Sequence, residues 1–347
     1  MTVNVAVVGS GSIARDHVKA LAAVPGVRVA YVYGSDLARA ESVAALAPGA
    51  MATTELDRVL EDESVTGVDV VNATPDHAPF TLRAGRAGKH VHVEKPVALS
   101  LADFDAMVAA TRSTSLMVGQ TVRFQPAVAT LARSLHAGEV GRPRLVHVSW
   151  YTGYVWPGGW RGWQLDPARS GGHPVHNGTH CLDLAVWLFQ RAPVKVFARS
   201  FPSYAAQMPV HDSFHLTVRF DDDSLALLEI SYALRKHADM MRRLVVAGTT
   251  GTLSHSTDQD PGLISDGVRP APSSVEGAMG AQLTHWIDVV RGAQPVVRLP
   301  EVRMALATAL AAQRSLETGR AEAVDHPADL TAPADAGQPA QTTGEGR

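Results

Sequence analysis

The N-terminal segment reads Val3-Asn4-Val5-Ala6-Val7-Val8-Gly9-Ser10-Gly11-Ser12-Ile13-Ala14. Its apolar start is typical of a strand buried on both faces, and its turn matches the pattern G-x-G-x-x-G/A. Gly9 permits a tight turn, Gly11 lets the backbone approach a pyrophosphate, and Ala14 allows close helix packing. A helix beginning near Ser12 would offer its free N–H groups to the phosphates. An ordinary glycine-rich turn is the alternative, but the strand before it and the helix after it favour dinucleotide binding by Gly9, Ser10, Gly11, Ser12 and Ile13.

Further apolar runs follow at regular intervals, at Val27–Tyr33, Val68–Ala73, His90–Glu94 and Leu116–Gly119. Helical stretches separate them, and Thr54 and Ser100 are predicted N-caps of two of these helices. Alternating strands and helices predict a doubly wound α/β domain with a parallel sheet.

The length of 347 residues predicts two domains, and the net charge of −3 disfavours nucleic acid and anionic membranes as partners. Cys181 is the only cysteine, so no internal disulfide forms. No apolar run reaches the roughly 18 residues that a membrane span needs, and the N-terminus does not resemble a secretion signal. We therefore expect a cytoplasmic protein.

The end of the second strand bears on the choice of cofactor. NAD-binding domains usually place an acid there, but this chain reads Tyr33-Gly34-Ser35-Asp36, with Gly34 at the expected position. Ser35 and Arg39 are candidates for binding a 2′-phosphate, or else Asp36 caps the next helix and Arg39 is a solvated charge. The cofactor is therefore NAD or NADP, with NADP favoured.

Two segments carry candidate chemistry. Glu94-Lys95-Pro96 follows the fifth strand, at the sheet edge where open α/β sheets bind ligands, although a surface lysine in a loop is the alternative. A lysine beside the cationic nicotinamide ring should have a lowered pKa, which suits it to act as a general acid or base.

The second segment runs from Ser170 to Asp183 and contains His173, His176 and His180. We expect a helix with His176, His180 and Asp183 on one face, and histidine exchanges protons near neutral pH. One alternative is a helix capped by Asn177 with packed histidines, and another is zinc bound by the three histidines.

Aromatic residues and an arginine precede this segment, at Tyr154, Trp156, Trp160, Arg161 and Trp163. They suit a sugar ring or a carboxylated substrate, or equally a packed loop or subunit contact. Beyond them, apolar segments predict strands at Arg144–Tyr151, Val194–Ser200, Ser213–Phe220, Leu225–Ser231 and Arg242–Ala247, with a turn at residues 221–223.

Several pieces together resemble the glucose–fructose oxidoreductase, inositol dehydrogenase and rhizopine catabolism (Gfo/Idh/MocA) family. They are Val7–Ala14, Val70-Val71-Asn72-Ala73-Thr74-Pro75-Asp76-His77, Ala87-Gly88-Lys89-His90-Val91-His92-Val93-Glu94-Lys95-Pro96, Arg123-Phe124, the Gly171–Asp183 run and Ser315–Arg320. The resemblance extends to about Val324.

The resemblance implies a Rossmann doubly wound parallel sheet followed by an α+β domain with a large, mostly antiparallel open sheet that forms homodimers or homotetramers. We place the first domain at residues 1–123, the second at 124–325, and a disordered tail at 326–347. The implied activity is NAD(P)-dependent hydride transfer at a hydroxyl carbon of a sugar, polyol or related small molecule.

Roles follow from the same resemblance. Lys95 would contact the reacting hydroxyl, and His180 would be the general acid–base. The resemblance assigns the cofactor loop to Thr74, Pro75, His77 and Glu94, and we add Arg123, Trp160, Arg161 and Asn177 as substrate-binding residues.

One position departs from the family pattern. An aspartate usually stands four residues before the catalytic histidine, where this chain has His176, so His176 is expected to share the proton transfer with His180. Transient oxidation coupled to glycoside cleavage, and a non-catalytic dinucleotide sensor, are alternative functions.

Overall fold

Two β-sheets organise the computed structural model, which describes residues 2–153, 162–203, 208, 210–234, 240–257, 263–265 and 277–326. The predicted disordered tail lies outside the described residues from position 327 onward. In the described ranges, no helix combines the length and apolar character that crossing a membrane requires.

The first sheet has six parallel strands in the order β3-β2-β1-β4-β5-β6. Its strands are β1 (Val3–Val8), β2 (Val27–Tyr33), β3 (Met51–Thr53), β4 (Val65–Val70), β5 (His90–Val93) and β6 (Leu116–Val118). The predicted doubly wound parallel sheet is confirmed. The sequence missed β3 because three residues give no periodic signal, and the fourth strand lies earlier than Val68–Ala73.

Helices pack on this sheet, and those that start near Ser12 and after Ser100 begin where the sequence indicated. They are α1 (Ser12–Ala22), α2 (Leu37–Ala44), α3 (Leu56–Glu61), α4 (His77–Arg86) and α5 (Leu101–Ala110). Helix α6 (Pro126–His136) follows β6 and packs against the second sheet. Ser100 caps α5, since its hydroxyl accepts the Asp103 N–H at 3.0 Å. The predicted Thr54 cap is wrong: α3 starts one residue later, and the Thr53 hydroxyl accepts the Glu55 N–H instead.

The second sheet has eight strands in the order β13-β12-β11-β7-β10-β9-β8-β14. They are β7 (Pro143–Gly153), β8 (Pro193–Phe201), β9 (Ser213–Phe220), β10 (Leu225–Leu234), β11 (Met240–Gly248), β12 (Thr252–Ser256), β13 (Leu263–Ser265) and β14 (Glu322–Ala323). All pairs are antiparallel except β7 with β10. The predicted mostly antiparallel sheet is confirmed, and Asp223, at a φ of +61°, makes the turn between β9 and β10.

Helices from the second segment of the chain pack against both sheets. They are α7 (Pro167–Ser170), α8 (His173–His176), α9 (Gly178–Phe189), α10 (Ala278–Val290) and α11 (Leu299–Thr318). Helices α9 and α11 pack on the second sheet, but α10 returns to the first sheet and packs on α1. Its Trp286 is fully buried against Gly67 of β4, where a Cβ would lie 2.9 Å from the indole.

A buried ion-pair network joins the end of the first sheet to the helices of the second. Arg123, in the turn after β6, donates from Nε and Nη2 to the two carboxylate oxygens of Asp183 on α9, at 2.7 and 2.6 Å. Its Nη1 bonds Glu301 on α11, and its guanidinium lies 5.0 Å from the Trp187 ring. Arg123 is 1% exposed and all its donor nitrogens are engaged, so its predicted role in binding substrate is wrong.

Removing this guanidinium should destabilise the fold strongly. In Arg123→Ala the buried Asp183 carboxylate loses its partner and Glu301 keeps only Arg298, so we expect the free energy of unfolding to fall by about 3–5 kcal/mol. Denaturant titration measures this. Arg219→Ala, which breaks an exposed pair with Asp223, is the control and should cost less than about 1 kcal/mol. Equally small losses in the free energy of unfolding of the two variants would contradict the proposed stabilising role of the Arg123 ion-pair network.

Candidate active site

A cavity of about 720 Å³ lies along the carboxyl edge of the first sheet and reaches residues of the second segment. The first segment contributes Gly9, Ser10, Gly11, Ser12, Ile13, Gly34, Ser35, Arg39, Val71, Asn72, Ala73, Thr74, Asp76, Glu94 and Lys95, and the second contributes Trp163, Gln164, Arg169, His176 and Asn177. Most of the predicted cofactor residues therefore share one cavity with two of the predicted substrate-side residues.

The glycine-rich turn forms one end of the cavity. Gly9 has a φ of +140°, and a Cβ there would come within 3.1 Å of the Val71 backbone, so only glycine fits. A Cβ on Gly11 would meet nothing within 4 Å, so the space beside it is open to a ligand. No side chain caps the start of α1, which leaves its first N–H groups available for phosphate.

The end of β2 excludes an acid at the usual position. A Cβ on Gly34 would lie 2.5 Å from Oγ and 2.8 Å from Cβ of Ser10, so the two positions compete for the same space. Asp36 is used locally, because its carboxylate caps α2 by accepting the Arg39 N–H at 3.0 Å. The predicted capping role of Asp36 is confirmed, and Arg39 keeps its side chain in the cavity lining.

The loop after β4 carries two buried polar side-chain atoms whose hydrogen-bonding capacity is not satisfied by the described residues. Asn72 Oδ1 and Thr74 Oγ1 have no hydrogen-bond partner in the described part of the chain, and both residues line the cavity. Buried polar atoms are normally satisfied, so these two fit a bound polar ligand. Asn72 was not assigned a role from sequence.

His77 was predicted to lie near the cofactor, but in the structure it links two loops through backbone carbonyls. It is 1% exposed, its Nδ1 lies 2.8 Å from the Pro96 carbonyl, and its Nε2 lies 3.1 Å from the Asn72 carbonyl. His77 therefore ties the loop after β4 to the loop after β5 and is absent from the cavity lining, as is the exposed Pro75. Neither position is placed to contact the cofactor directly.

Lys95 connects the two halves of the site. Its Nζ donates to the backbone carbonyl of His176 at 3.3 Å, and its backbone N–H donates to Glu94 Oε2 at 3.1 Å. Burial lowers the pKa of Lys95, and the nearby Glu94 carboxylate partly opposes that shift. The ammonium group keeps further N–H donors for a substrate oxygen.

The predicted single helix bearing both histidines is divided in the structure. His176 ends the short helix α8, and Asn177 separates it from α9, where His180 lies. Asn177 occupies the N-cap position of α9 without a side-chain cap, and its Nδ2 has no partner within the described residues. Asp183, three residues after His180 on α9, pairs with Arg123.

His180 lies between aromatic and cationic groups. Its ring stacks on Trp150 at 5.2 Å, and the Arg242 guanidinium lies 5.0 Å from the same indole. Burial, followed by the charges of Lys95 and Arg242, holds the pKa of His180 well below its usual value. The pKa of His176 is likewise lowered well below its usual value, by burial and then by Lys95. Both imidazoles are therefore neutral at pH 7, and each has a buried Nδ1 that no described residue bonds.

The three histidines considered for zinc do not converge. Within the described ranges, the one group whose ligand atoms all lie within 4.8 Å of one another is His17, Asp69 and His92. His173 instead packs edge-on against Phe214 and Tyr232.

The remaining substrate-side predictions divide in two. Trp160 and Arg161, with Tyr154 and Trp156, lie outside the described residues. Trp163 is described, lines the cavity and packs edge-on against His176 at 5.3 Å. Gln164 and Arg169 also line the cavity, and no motif or spacing marked them in the sequence.

Comparison with protein families assigns both halves of the chain. Residues 3–121 match the model described as "Oxidoreductase family, NAD-binding Rossmann fold", and residues 128–254 match "GFO/IDH/MocA C-terminal domain". The first match covers the whole dinucleotide end of the cavity, including the turn at Gly9 and Lys95.

Individual relatives agree with the family models. The chain is 31% identical over 269 residues to inositol 2-dehydrogenase 2 of Saccharopolyspora erythraea, covering 73% of each chain. It is 28% identical to scyllo-inositol 2-dehydrogenase (NAD(+)) of Bacillus subtilis, over 91% of this chain and 95% of that protein. Its fold matches an aldose-aldose oxidoreductase of Caulobacter crescentus complexed with glycerol, with a TM-score of 0.78, 25% identity, and coverage of 93% and 100%. The chain therefore belongs to the GFO/IDH/MocA family, and it is an NAD(P)-dependent oxidoreductase.

Proposed function

We propose that this protein transfers hydride between a nicotinamide dinucleotide and a hydroxyl carbon of a sugar or polyol, with Lys95 and His180 at the reacting hydroxyl. One observation carries the proposal: a single cavity joins the glycine-rich turn to Lys95 and His176. The related enzymes named above support the carbohydrate-like substrate.

Three features of the described residues fit a bound dinucleotide: the open space at Gly11, the uncapped start of α1, and the unpartnered polar atoms of Asn72 and Thr74. The open space at Gly11 and the uncapped start of α1 suit the pyrophosphate. Asn72 and Thr74 supply unpartnered polar atoms in the middle of the cavity. When bound, the nicotinamide ring supplies the acceptor or donor for hydride.

The chain's own residues supply the proton chemistry. Lys95 donates a hydrogen bond to the substrate oxygen while its remaining contact to the His176 carbonyl fixes its position. His180 is neutral and accepts the hydroxyl proton, either directly or through His176. Because it is buried and lies near Lys95 and Arg242, protonated His180 is a stronger acid than free imidazole, so it returns the proton readily in the reverse direction.

Loss of either group should slow turnover and spare cofactor binding. We expect Lys95→Met and His180→Gln each to lower kcat by about 10²–10⁴-fold, with the dinucleotide Kd changed by less than about threefold. Reduced-nicotinamide absorbance with inositols, aldoses and sugar acids measures kcat, and calorimetry measures Kd. Lys19→Met, an exposed lysine in the last turn of α1, is the control.

Wild-type turnover in the Lys95 or His180 variants would remove the assignment. Product formation without net change in nicotinamide absorbance would favour the redox-neutral glycoside-cleaving alternative, in which oxidation is transient.

For the cofactor, NADP is the preferred form in this proposal. A second cavity of about 320 Å³ adjoins the first and is lined by Ser10, Arg15, Asp36, Ala38, Arg39, Ser42 and Val43. Arg15 donates to the Ser42 hydroxyl at 3.0 Å, which keeps its guanidinium beside the cavity. Two arginines and the absence of a side chain at Gly34 suit a 2′-phosphate better than a 2′-hydroxyl.

Arg39 provides the test of this preference. We expect Arg39→Ala to weaken NADPH binding by about 10- to 150-fold, because a charge-assisted hydrogen bond to phosphate contributes about 1.5–3 kcal/mol, and to leave NADH binding unchanged. Fluorescence titration of both cofactors measures the two affinities. Arg28→Ala, at the opposite end of β2, should change neither. Tighter wild-type binding of NADH, or equal losses for both cofactors, would contradict NADP preference.

A homodimer or homotetramer built on the second sheet also belongs to the proposal. The face of this sheet away from α9 exposes Phe197, Phe201, Leu225, Leu227 and Met241, each between 36% and 43% accessible. A cluster of exposed apolar side chains on one surface is typical of a protein interface.

Charge on this face should dissociate the assembly. We expect Leu227→Lys to lower the mass in light scattering to that of one chain, 36.8 kDa, while Leu37→Lys on α2 leaves it unchanged. A monomeric wild-type protein would overturn the proposed oligomer.

A further inference from the structure

Four ionisable side chains form a continuous buried row beneath the cofactor cavity. His17 of α1 and His92 of β5 each hydrogen-bond one carboxylate oxygen of Asp69 through Nδ1, at 2.8 and 2.7 Å. On its other side, His17 Nε2 lies 3.3 Å from Glu94 Oε1. His17, Asp69 and His92 are fully buried, and Glu94 reaches the cavity.

The charges in this row are defined by its contacts. Burial disfavours a charged His17, but Asp69 and then Glu94 overcome it and raise the pKa of His17 to about 10. Burial alone would raise the pKa of Glu94, but His17, followed by His92 and Lys95, brings it below its usual value. At neutral pH an imidazolium therefore stands between two carboxylates.

His92 has a different part in the row. The Gln282 amide nitrogen lies 3.2 Å from His92 Nε2, and His92 Nδ1 lies 2.7 Å from Asp69 Oδ1. His92 does not contact Glu94. His17, Asp69 and His92 also satisfy the spacing of a metal site, but both Asp69 oxygens already lie within hydrogen-bond distance of an imidazole Nδ1.

The Glu94 carboxylate is held tightly at the end of the row. Oε2 accepts the Lys95 backbone N–H, and a Cβ on Gly119 would lie 2.6 Å from Oε1, so no larger residue fits beside it. The His17 contact is an ion pair rather than a linear hydrogen bond, since neither facing atom has hydrogen-bond geometry. Its effect on Glu94 is therefore mainly one of charge.

We propose that His17 is a positioning residue for hydride transfer: as an imidazolium anchored by Asp69, it keeps Glu94 ionised and fixed against the N–H of Lys95, and so sets the orientation of Lys95 in the site. The inference rests on the proposed role of Lys95 at the reacting hydroxyl. It gives a function to a helix residue that contacts neither cofactor nor substrate.

The charge state of His17 is tested without turnover. In the cofactor-free protein with ¹⁵N-labelled histidine, we expect NMR to show one imidazolium that persists at pH 8.5 and disappears in His17→Asn. The asparagine side chain keeps a hydrogen bond to Asp69 and carries no charge. If every histidine of the wild-type protein is neutral at pH 8.5, the proposal is wrong, whatever the outcome for Lys95 and the substrate.

The effect on the reaction is tested by pH profiles. Besides His17, the ionisable groups near Glu94 are His92 and Lys95 of the β5 region and His77 of α4, while α10 contributes the uncharged Gln282. Without the His17 charge, Glu94 should take up a proton more easily. We therefore expect the acidic limb of the plot of kcat against pH to move to higher pH by about one unit in His17→Asn. Loss of an adjacent positive charge raises the pKa of a carboxyl group.

Two comparisons separate positioning from simple loss of structure. His92→Asn removes an equally buried ring bonded to the same carboxylate. It should move the limb less than His17→Asn does, because His17 is the larger cause of the lowered Glu94 pKa, even if the melting temperature falls equally. Glu94→Gln should remove the limb, and adding His17→Asn to it should have no further effect on the profile. His17→Gln, which is longer, repeats the test if His17→Asn does not fold. Equal displacement of the limb in the His17 and His92 variants, or an unchanged limb in both His17 variants, would overturn the proposal.

Discussion

The guanidinium of Arg123 determines where the second half of the chain stands against the first. It leaves the turn after β6, at the edge of the first sheet, and bonds a carboxylate from α9 and another from α11. Because the three charges are buried, each depends on the others for its solvation. The position of α9, and with it His180, thus follows from an interaction remote from the chemistry. An arginine that we predicted from the sequence to bind substrate instead ties α9 and α11 to the end of the first sheet.

Charge distribution separates the site into two parts. On the dinucleotide side, Glu94 is ionised and has His17 behind it. On the substrate side, Lys95 and Arg242 surround two neutral histidines. His176 stands where the family pattern has an aspartate, and among the described residues the carboxylate that acts on the charge of Lys95 is Glu94 of the first segment.

The sequence predicted what depends on local pattern. The glycine-rich turn and the strand edge at Lys95 have short-range signals, whereas the mostly antiparallel second sheet was implied by the family resemblance. The structure contains all three. The interruption between α8 and α9 was missed, because spacings of three and four residues look alike whether or not the helix is continuous. The pairing of Arg123 with Asp183 and the return of α10 to the first sheet were missed because they join distant parts of the chain. Asp69 and His92 gave one neglected signal, since polar residues within fully buried strands require a partner.

The contact between Gly34 and Ser10 has an evolutionary consequence. A carboxylate at position 34 would overlap the Ser10 side chain, including its rigid Cβ atom, so the two positions cannot change independently. A lineage that gains an acid at 34 must first reduce residue 10 to glycine, because the opposite order passes through a collision at the phosphate turn. Positions 10 and 34, in the loops after β1 and β2, should therefore covary among descendants. A single substitution to an acid at the end of β2 should not be enough to change the cofactor that the protein binds.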